Sequence, residues 1–188
     1  MSPGRRQRAP ARTLVLLLAY QAAWFACVIG AANDMADAGI AAVAAVIVVH
    51  LAWSSDRRAD AILIGAAIAL GALLDGWLSR TGLVVYAGAG PSADWPPVWI
   101  LAMWALFAIV LREPLRWMHG RPLLAASFGA VGGPFAYAAA ARLDACRFGD
   151  GAQPVLALAI GWAVAMPLLL ALARRVQRPA EPLREANA

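Results

Sequence analysis

Residues 61–78 read AILIGAAIALGALLDGWL, a stretch of eighteen residues in which Asp75 is the one charged residue. A helix rises about 1.5 Å per residue and the hydrocarbon core of a bilayer is about 30 Å thick, so a run of this length and character is typical of a transmembrane helix. Comparable runs lie on both sides of it, at 13–32, 38–53, 97–112, 122–142 and 154–173. The sequence therefore predicts an all-α fold, a polytopic membrane bundle of six transmembrane helices.

The sixteen basic residues are all arginines, and thirteen of them lie at one end of the predicted spans. That side carries 13 arginines against five acidic residues, a net charge of +8, while the other side carries three arginines against six acidic residues, a net of −3. Cytoplasmic segments of membrane proteins are enriched in Lys and Arg. We therefore expect both termini on the cytoplasmic side of the membrane. A nucleic-acid-binding domain would gather its arginines on one folded surface instead, so no nucleic acid is expected as a partner.

The two ends of the chain are predicted to lie outside the six-helix domain of residues 13–173. Residues 1–12 are expected to form a basic cytoplasmic segment, and residues 174–188, rich in Arg, Pro and Glu, a disordered cytoplasmic tail. The first span also resembles a signal peptide, because a basic start precedes an apolar run and small residues near Gly30. The length of that run and its Trp24 favour a retained helix. Residues 82–90 are too short to cross and are expected to form an outer loop or an interfacial segment.

Small residues indicate where the helices pack closely. Ala125, Gly129 and Gly133 recur every four residues in the fifth run, and such stripes let two transmembrane helices approach each other. Pro134 follows at once and removes a backbone donor, which predicts a kink and a freed carbonyl in the middle of this span.

Among the residues of the apolar runs, Asp75 has the highest free-energy cost of insertion, because placing a carboxylate inside a membrane costs several kcal/mol. Its helical neighbours Gly71 and Ala72 are small, so it should project toward other helices. Arg142, at a similar depth in the fifth span, is the nearest candidate counter-charge. Asp75 is either an interfacial carboxylate that fixes helix register or part of a proton or ligand site.

The intramembrane polar and aromatic residues fall mostly in the half of the membrane opposite the arginines. From their depths we predict an outward-facing pocket, roofed by an indole ring. The candidate pocket residues are Gln21, Trp24, Asn33, Asp75, Trp104 and Tyr137.

Patterns typical of catalysis do not occur in the sequence. His50 and His119 have no Cys, Asp or Glu at metal-ligand spacing, and neither a metal nor another cofactor is expected. Cys27 and Cys146 are expected to remain unpaired thiols. A chain of this kind is more often a binding or accessory protein than an enzyme.

Several of these motifs together resemble a bacterial membrane family labelled domain of unknown function 2878. The resemblance rests on Gln21-Ala-Ala-Trp24-Phe25, on Asp75, on Pro97-Val-Trp99 with Trp104, and on Gly129-Ala-Val-Gly132-Gly133-Pro134 with Tyr137. It implies a small inner-membrane protein without an established activity, of a kind encoded near enzymes that modify membrane fatty acids. The partners that it implies are membrane lipids and a lipid-modifying enzyme.

Three functions follow from these observations. The first is a lipid-linked accessory or binding protein for membrane fatty-acid modification. The second is a small-solute or proton-coupled transporter that uses Asp75. The third is a membrane-embedded lipid-modifying enzyme in which Asp75 or Tyr137 acts as acid or base.

Overall fold

Short connections join the first three helices of the chain, and helices joined in this way run antiparallel to each other. A computed structural model describes residues 3–88, 90–92 and 95–177, with side chains from residue 11 onward. The elements in chain order are α1 (Pro3–Ala32), α2 (Ala36–Trp53), α3 (Arg57–Arg80), β1 (Val84–Tyr86), α4 (Val98–Ala108), a short 3₁₀ helix (Arg116–Met118), α5 (Pro122–Arg142), β2 (Cys146–Phe148) and α6 (Gln153–Val176). The protein is an all-α bundle with one two-stranded sheet.

Five of the six α-helices, all except α4, are long and apolar enough to cross a membrane. For α1 the apolar part is Ala11–Ala32. Their length and composition make the chain a multi-pass membrane protein.

The fourth predicted span, 97–112, is wrong as a continuous α-helix. α4 has 11 residues and is about 16 Å long. Residues 109–111 continue it as tight turns in which each N–H bonds to the carbonyl three residues earlier. Pro114 explains the change, because proline lacks an N–H and disfavours helical geometry in the residue before it.

One end of the bundle, which we call the arginine-rich end, collects the start of α1, the end of α2, the start of α3 and the segment after α4. Arg12 lies 4.0 Å from Glu113, and Arg112 donates to Asp60 at 2.8 Å. Arg57 donates to the carbonyl of Leu51 at 2.9 Å. Since α6 ends and α5 begins here as well, the two ends of the described chain lie at the same end of the bundle.

The opposite end is covered by the short sheet. β1 and β2 pair antiparallel, with Val84 opposite Phe148 and Tyr86 opposite Cys146. β1 lies within the segment 82–90 that was expected to be a loop or an interfacial segment. The sheet brings Tyr86 over the helix ends, and this placement matters for the candidate site.

The limits of the helices differ from the predicted limits at the termini. α1 begins at Pro3, within the predicted basic segment, and α6 continues past Ala173 to Val176. Residues 178–188, most of the predicted disordered tail, lie outside the described residues. α5 is a single helix across Pro134.

Candidate functional site

Asp75 lies at the centre of a hydrogen-bonded cluster in the half of the bundle nearest the sheet. Its side chain is fully buried. The hydroxyls of Tyr86 and Tyr137 each donate to its Oδ1 at 2.5 Å, and the indole Nε1 of Trp104 donates to its Oδ2 at 2.6 Å. These donors come from β1, α5 and α4, so one carboxyl group on α3 joins four elements of the fold.

Two glycines make room for a pair of stacked indole rings beside this carboxyl group. A Cβ on Gly71 would lie 2.2 Å from the Trp104 ring, and a Cβ on Gly133 would lie 2.3 Å from the Trp162 ring. The two rings stack with their centroids 4.6 Å apart and their planes 12° from parallel. Any side chain at either glycine would displace a ring, so glycine is required here for space.

The stacked indoles form part of the wall of a largely apolar cavity. Its enclosed volume is about 80 Å³. Side chains from four helices and both strands line it: Tyr20, Trp24, Val28, Tyr86, Trp99, Ile100, Met103, Trp104, Phe107, Ala136, Tyr137, Ala140, Cys146 and Trp162. Asp75 is not among them, so it lies behind the wall that its hydrogen bonds hold in place.

Two helices that line the cavity, α1 and α5, are not a closely packed pair in the described part of the chain. α1 packs on α2 and α4, and α5 packs on α6. α4 supplies more lining residues than any other element.

The cavity has few polar groups. Burial raises the pKa of the Tyr86 hydroxyl above its ordinary value, with Tyr137 and Asp75 acting in the same direction, so this hydroxyl remains a donor to Asp75. The Trp162 Nε1 is buried and has no hydrogen-bond partner among the described residues. Burial also raises the pKa of the Cys146 thiol, to about 11, and its Sγ donates to the Tyr137 carbonyl at 3.6 Å.

Comparison with known families gives a match across most of the chain. The model of a protein family of unknown function, DUF2878, matches residues 13–168. The chain belongs to the DUF2878 family. The matched region includes every residue that lines the cavity. No match to this DUF2878 protein was found among curated proteins or among solved structures.

The structure brings four of the six predicted pocket residues together. Trp24, Trp104 and Tyr137 line the cavity, and Asp75 lies directly behind it. The sequence had indicated all four by depth in the membrane and by residue type.

Gln21 and Asn33 do not belong to the cavity. Gln21 follows Tyr20, a lining residue, and one helical residue corresponds to a rotation of about 100°, so its side chain is exposed at the flank of α1. Asn33 is also exposed and donates from Nδ2 to the carbonyl of Ile29 at 2.8 Å, within its own helix. The sequence-based prediction used depth alone and left the direction of each side chain around its helix undetermined.

Sequence reasoning did not assign Tyr86 or Trp162 to the site, and the candidate counter-charge of Asp75 lies elsewhere. Tyr86 lies in the segment after α3, which the hydropathy pattern placed outside the bundle. Trp162 lies within the sixth predicted span and was not among the predicted pocket residues. Arg142, the candidate counter-charge, is exposed and is not among the hydrogen-bond partners of Asp75 in the described chain.

This DUF2878 chain has a second buried carboxylate, Asp60, at the arginine-rich end of α3. Arg112 donates to its Oδ1 at 2.8 Å, and Ser54 donates to its Oδ2. His50 Nε2 lies 3.4 Å from Oδ2, near enough for charge attraction but without hydrogen-bond geometry. Within the described residues, no group of three or more His, Cys, Asp or Glu side chains could hold a metal ion. The cluster therefore links α2, α3 and the segment after α4 by charge.

Proposed function

We propose that this protein binds the apolar chain of a membrane-dissolved molecule, such as a fatty acyl chain, in the aromatic cavity. The observation that carries the proposal is the aromatic and apolar lining of the cavity, which comes from α1, α4, α5, α6 and both strands. α1, α5 and α6 are long and apolar enough to cross a membrane, so the cavity lies among helices that a membrane-dissolved ligand contacts. The enclosed volume of about 80 Å³ is smaller than a typical small-molecule site, roughly 300–1,000 Å³, so the cavity receives only the end of an apolar chain.

The polar groups of the cavity favour a ligand with one hydrogen-bond acceptor near the end that enters. A buried donor without a partner costs about 1–3 kcal/mol; the Trp162 Nε1 is buried beside the Tyr137 hydroxyl but does not form a hydrogen bond of full geometry with it. A carbonyl or ester oxygen would satisfy this indole N–H. The role of Asp75 is then to orient Trp104, Tyr86 and Tyr137 as parts of the cavity wall.

The geometry favours binding over the transport and catalytic alternatives. Transport or acid–base chemistry through Asp75 needs its carboxyl group to meet the solute. The carboxyl group instead faces three aromatic donors and is absent from the cavity surface.

We further propose a bacterial inner-membrane location with the arginine-rich end in the cytoplasm, which the distribution of arginines supports. The cavity then opens in the half of the bilayer away from the cytoplasm. There the protein serves as an accessory protein that presents or receives acyl chains for a lipid-modifying enzyme.

The decisive experiment uses a palmitic acid analogue with a diazirine near the end of the chain, added to the full-length protein in proteoliposomes. We expect saturable cross-links, competed by unlabelled palmitate, to peptides from α4, α5 and α6. Ala136→Phe fills the cavity and should abolish them, whereas Ala22→Phe, at an exposed position of α1, should not. Labelling that is confined to exposed residues such as Leu73 and is equal in both variants would disprove the proposal.

A test in cells addresses the accessory role separately. Deletion of the gene should change the fatty-acid profile of the membrane, and the wild-type chain should restore that profile while the Ala136→Phe variant should not. An unchanged profile after deletion would remove the accessory role while leaving binding to be judged by the cross-links.

A further inference from the structure

A second apolar groove runs between α1 and α2 at the arginine-rich end, away from the aromatic cavity. Its volume is about 580 Å³. Two facing stripes of side chains, spaced about one helical turn apart, line it: Ala11, Arg12, Val15, Leu16 and Ala19 on α1, and Ala45, Val46, Val49, His50 and Trp53 on α2. Apart from Arg12 and His50 these residues are apolar.

The groove exists because the two helices touch at one end and diverge toward the other. Near the sheet side, a Cβ on Gly39 would lie 2.6 Å from the Cα of Cys27, so the backbones are in contact there. Toward the arginine-rich end the facing residues are mostly alanine and valine, which are too small to fill the gap. The open part covers Ala11–Ala19 on α1, about 12 Å along the helix, or most of the depth of one leaflet.

Arg12 lines the groove, and Arg57 lies beside it at the end of α2. Arg12 donates from Nη2 to the carbonyl of Trp53 at 2.9 Å. Arg57 donates to the carbonyls of Leu51 and Ala52 at 2.9 Å and 3.2 Å. Both guanidinium groups are thus held against the last turn of α2. Each has five N–H donors, so donors remain for another acceptor.

We propose that this groove holds an acidic phospholipid from the leaflet on the arginine-rich side. One acyl chain lies between α1 and α2, and the phosphate is bound by Arg12 and Arg57. Charge complementarity supports this occupant, because a guanidinium group forms strong charge-assisted hydrogen bonds with phosphate oxygens. The site is distinct from the aromatic cavity and does not depend on the function proposed for that cavity.

Glu113 is the acidic group paired with Arg12, and its position permits the phosphate to bind. Asp60, 3.4 Å from the lining residue His50, is buried and already accepts a hydrogen bond from Arg112. Glu113 lies 4.0 Å from Arg12, and the two side chains are 49% and 44% exposed. An exposed pair at this distance contributes little, so a phosphate can displace the carboxylate.

The test reconstitutes the full chain in vesicles of phosphatidylglycerol and phosphatidylcholine with identical chains in equal amounts. Native mass spectrometry of the extracted protein then counts the retained lipids. We expect one phosphatidylglycerol to be retained in preference to phosphatidylcholine. Arg12→Gln should lower this preference about fivefold, the effect typical of one basic residue near anionic lipid. Arg58→Gln, which removes an exposed arginine beside Arg57, should leave it unchanged.

A second pair of variants tests the groove without changing charge. Ala45→Phe fills the groove and should abolish the retention of lipid. Ala44→Phe, at an exposed neighbouring position outside the groove, should leave the retention unchanged. Equal retention of the two lipids by the wild type would overturn the proposal. So would equal losses in Arg12→Gln and Arg58→Gln, or in Ala45→Phe and Ala44→Phe, because a diffuse basic surface gives those results.

Discussion

Asp75→Asn changes the central carboxyl group of the site while keeping its size. The carboxyl group accepts from Tyr86 and Tyr137 at one oxygen and from Trp104 at the other. An amide offers one acceptor oxygen and one NH₂ donor. If the oxygen faces the tyrosines, the NH₂ group meets the Trp104 N–H. If it faces Trp104, both tyrosine protons lose their acceptor.

The size of the effect depends on how many hydrogen bonds are lost and on how many buried donors are left without an acceptor. Single interhelical hydrogen bonds in membrane proteins average roughly 0.6 kcal/mol, so the loss of three such bonds alone gives about 2 kcal/mol. A buried donor that faces another donor adds about 1–3 kcal/mol. Because either orientation of the amide keeps part of the network but leaves at least one such donor, we expect Asp75→Asn to lower the free energy of unfolding by about 3 kcal/mol.

The measurement is reversible unfolding in mixed micelles with increasing sodium dodecyl sulfate. The matched control is Asp150→Asn, which removes an exposed carboxylate from the same end of the bundle and should change stability by less than about 0.5 kcal/mol. Tyr137→Phe removes a single donor and should fall between the two. If Asp75→Asn is as stable as the control, the cluster does not join the four elements and the argument fails.

Two further variants test the packing of α5 and the environment of the cavity. A Cβ on Gly129 would lie 2.2 Å from the Trp162 carbonyl oxygen, so Gly129→Ala should destabilise the protein by about 2 kcal/mol in the same titration. The control Gly65→Ala, with no atom within 4 Å of its Cβ, should be neutral or stabilising by up to about 1 kcal/mol; a loss of stability equal to that of Gly129→Ala would contradict the packing. In a Cys27→Ala background, alkylation of the remaining thiol should accelerate about tenfold per pH unit up to about pH 11, because burial raises the pKa of Cys146 from 9.0 to about 11 and only the thiolate reacts. A rate that levels off near pH 9 would show an exposed thiol.

Hydropathy alone located the five long helices, because a continuous apolar helix is stable in a bilayer whichever helices lie beside it. The same measure failed for α4, where 97–112 is apolar enough but Pro114 follows closely. The limit of α4 is set by backbone hydrogen bonding, and hydropathy does not register backbone donors. Proline in the sequence was a usable signal for the shorter helix.

For the candidate site, the depth of a residue along its helix and the direction of its side chain around the helix axis are set by different features of the sequence. The arginine pattern sorted residues by depth, and this sufficed to associate Asp75 with Trp104 and Tyr137. Rotation about the helix axis is decided by packing against neighbouring helices, so Gln21 and Asn33 were assigned to a pocket that they do not face. Tyr86 could not be placed by depth, since the short pairing of β1 with β2 carries it over the helix ends.

The two buried carboxylates of α3 together explain how α4 keeps its place. Asp60 and Asp75 are fifteen residues apart, about 22 Å along the helix and within about 60° of the same face. Asp75 accepts from Trp104, and Asp60 accepts from Arg112. Lipid is as apolar as leucine, so apolar contact alone gives a short helix little preference for one depth over another. Because α4 supplies much of the cavity wall, the contact of Trp104 within the helix and that of Arg112 just beyond its end together set the shape of the site, and a shift of Arg112 would displace Trp104.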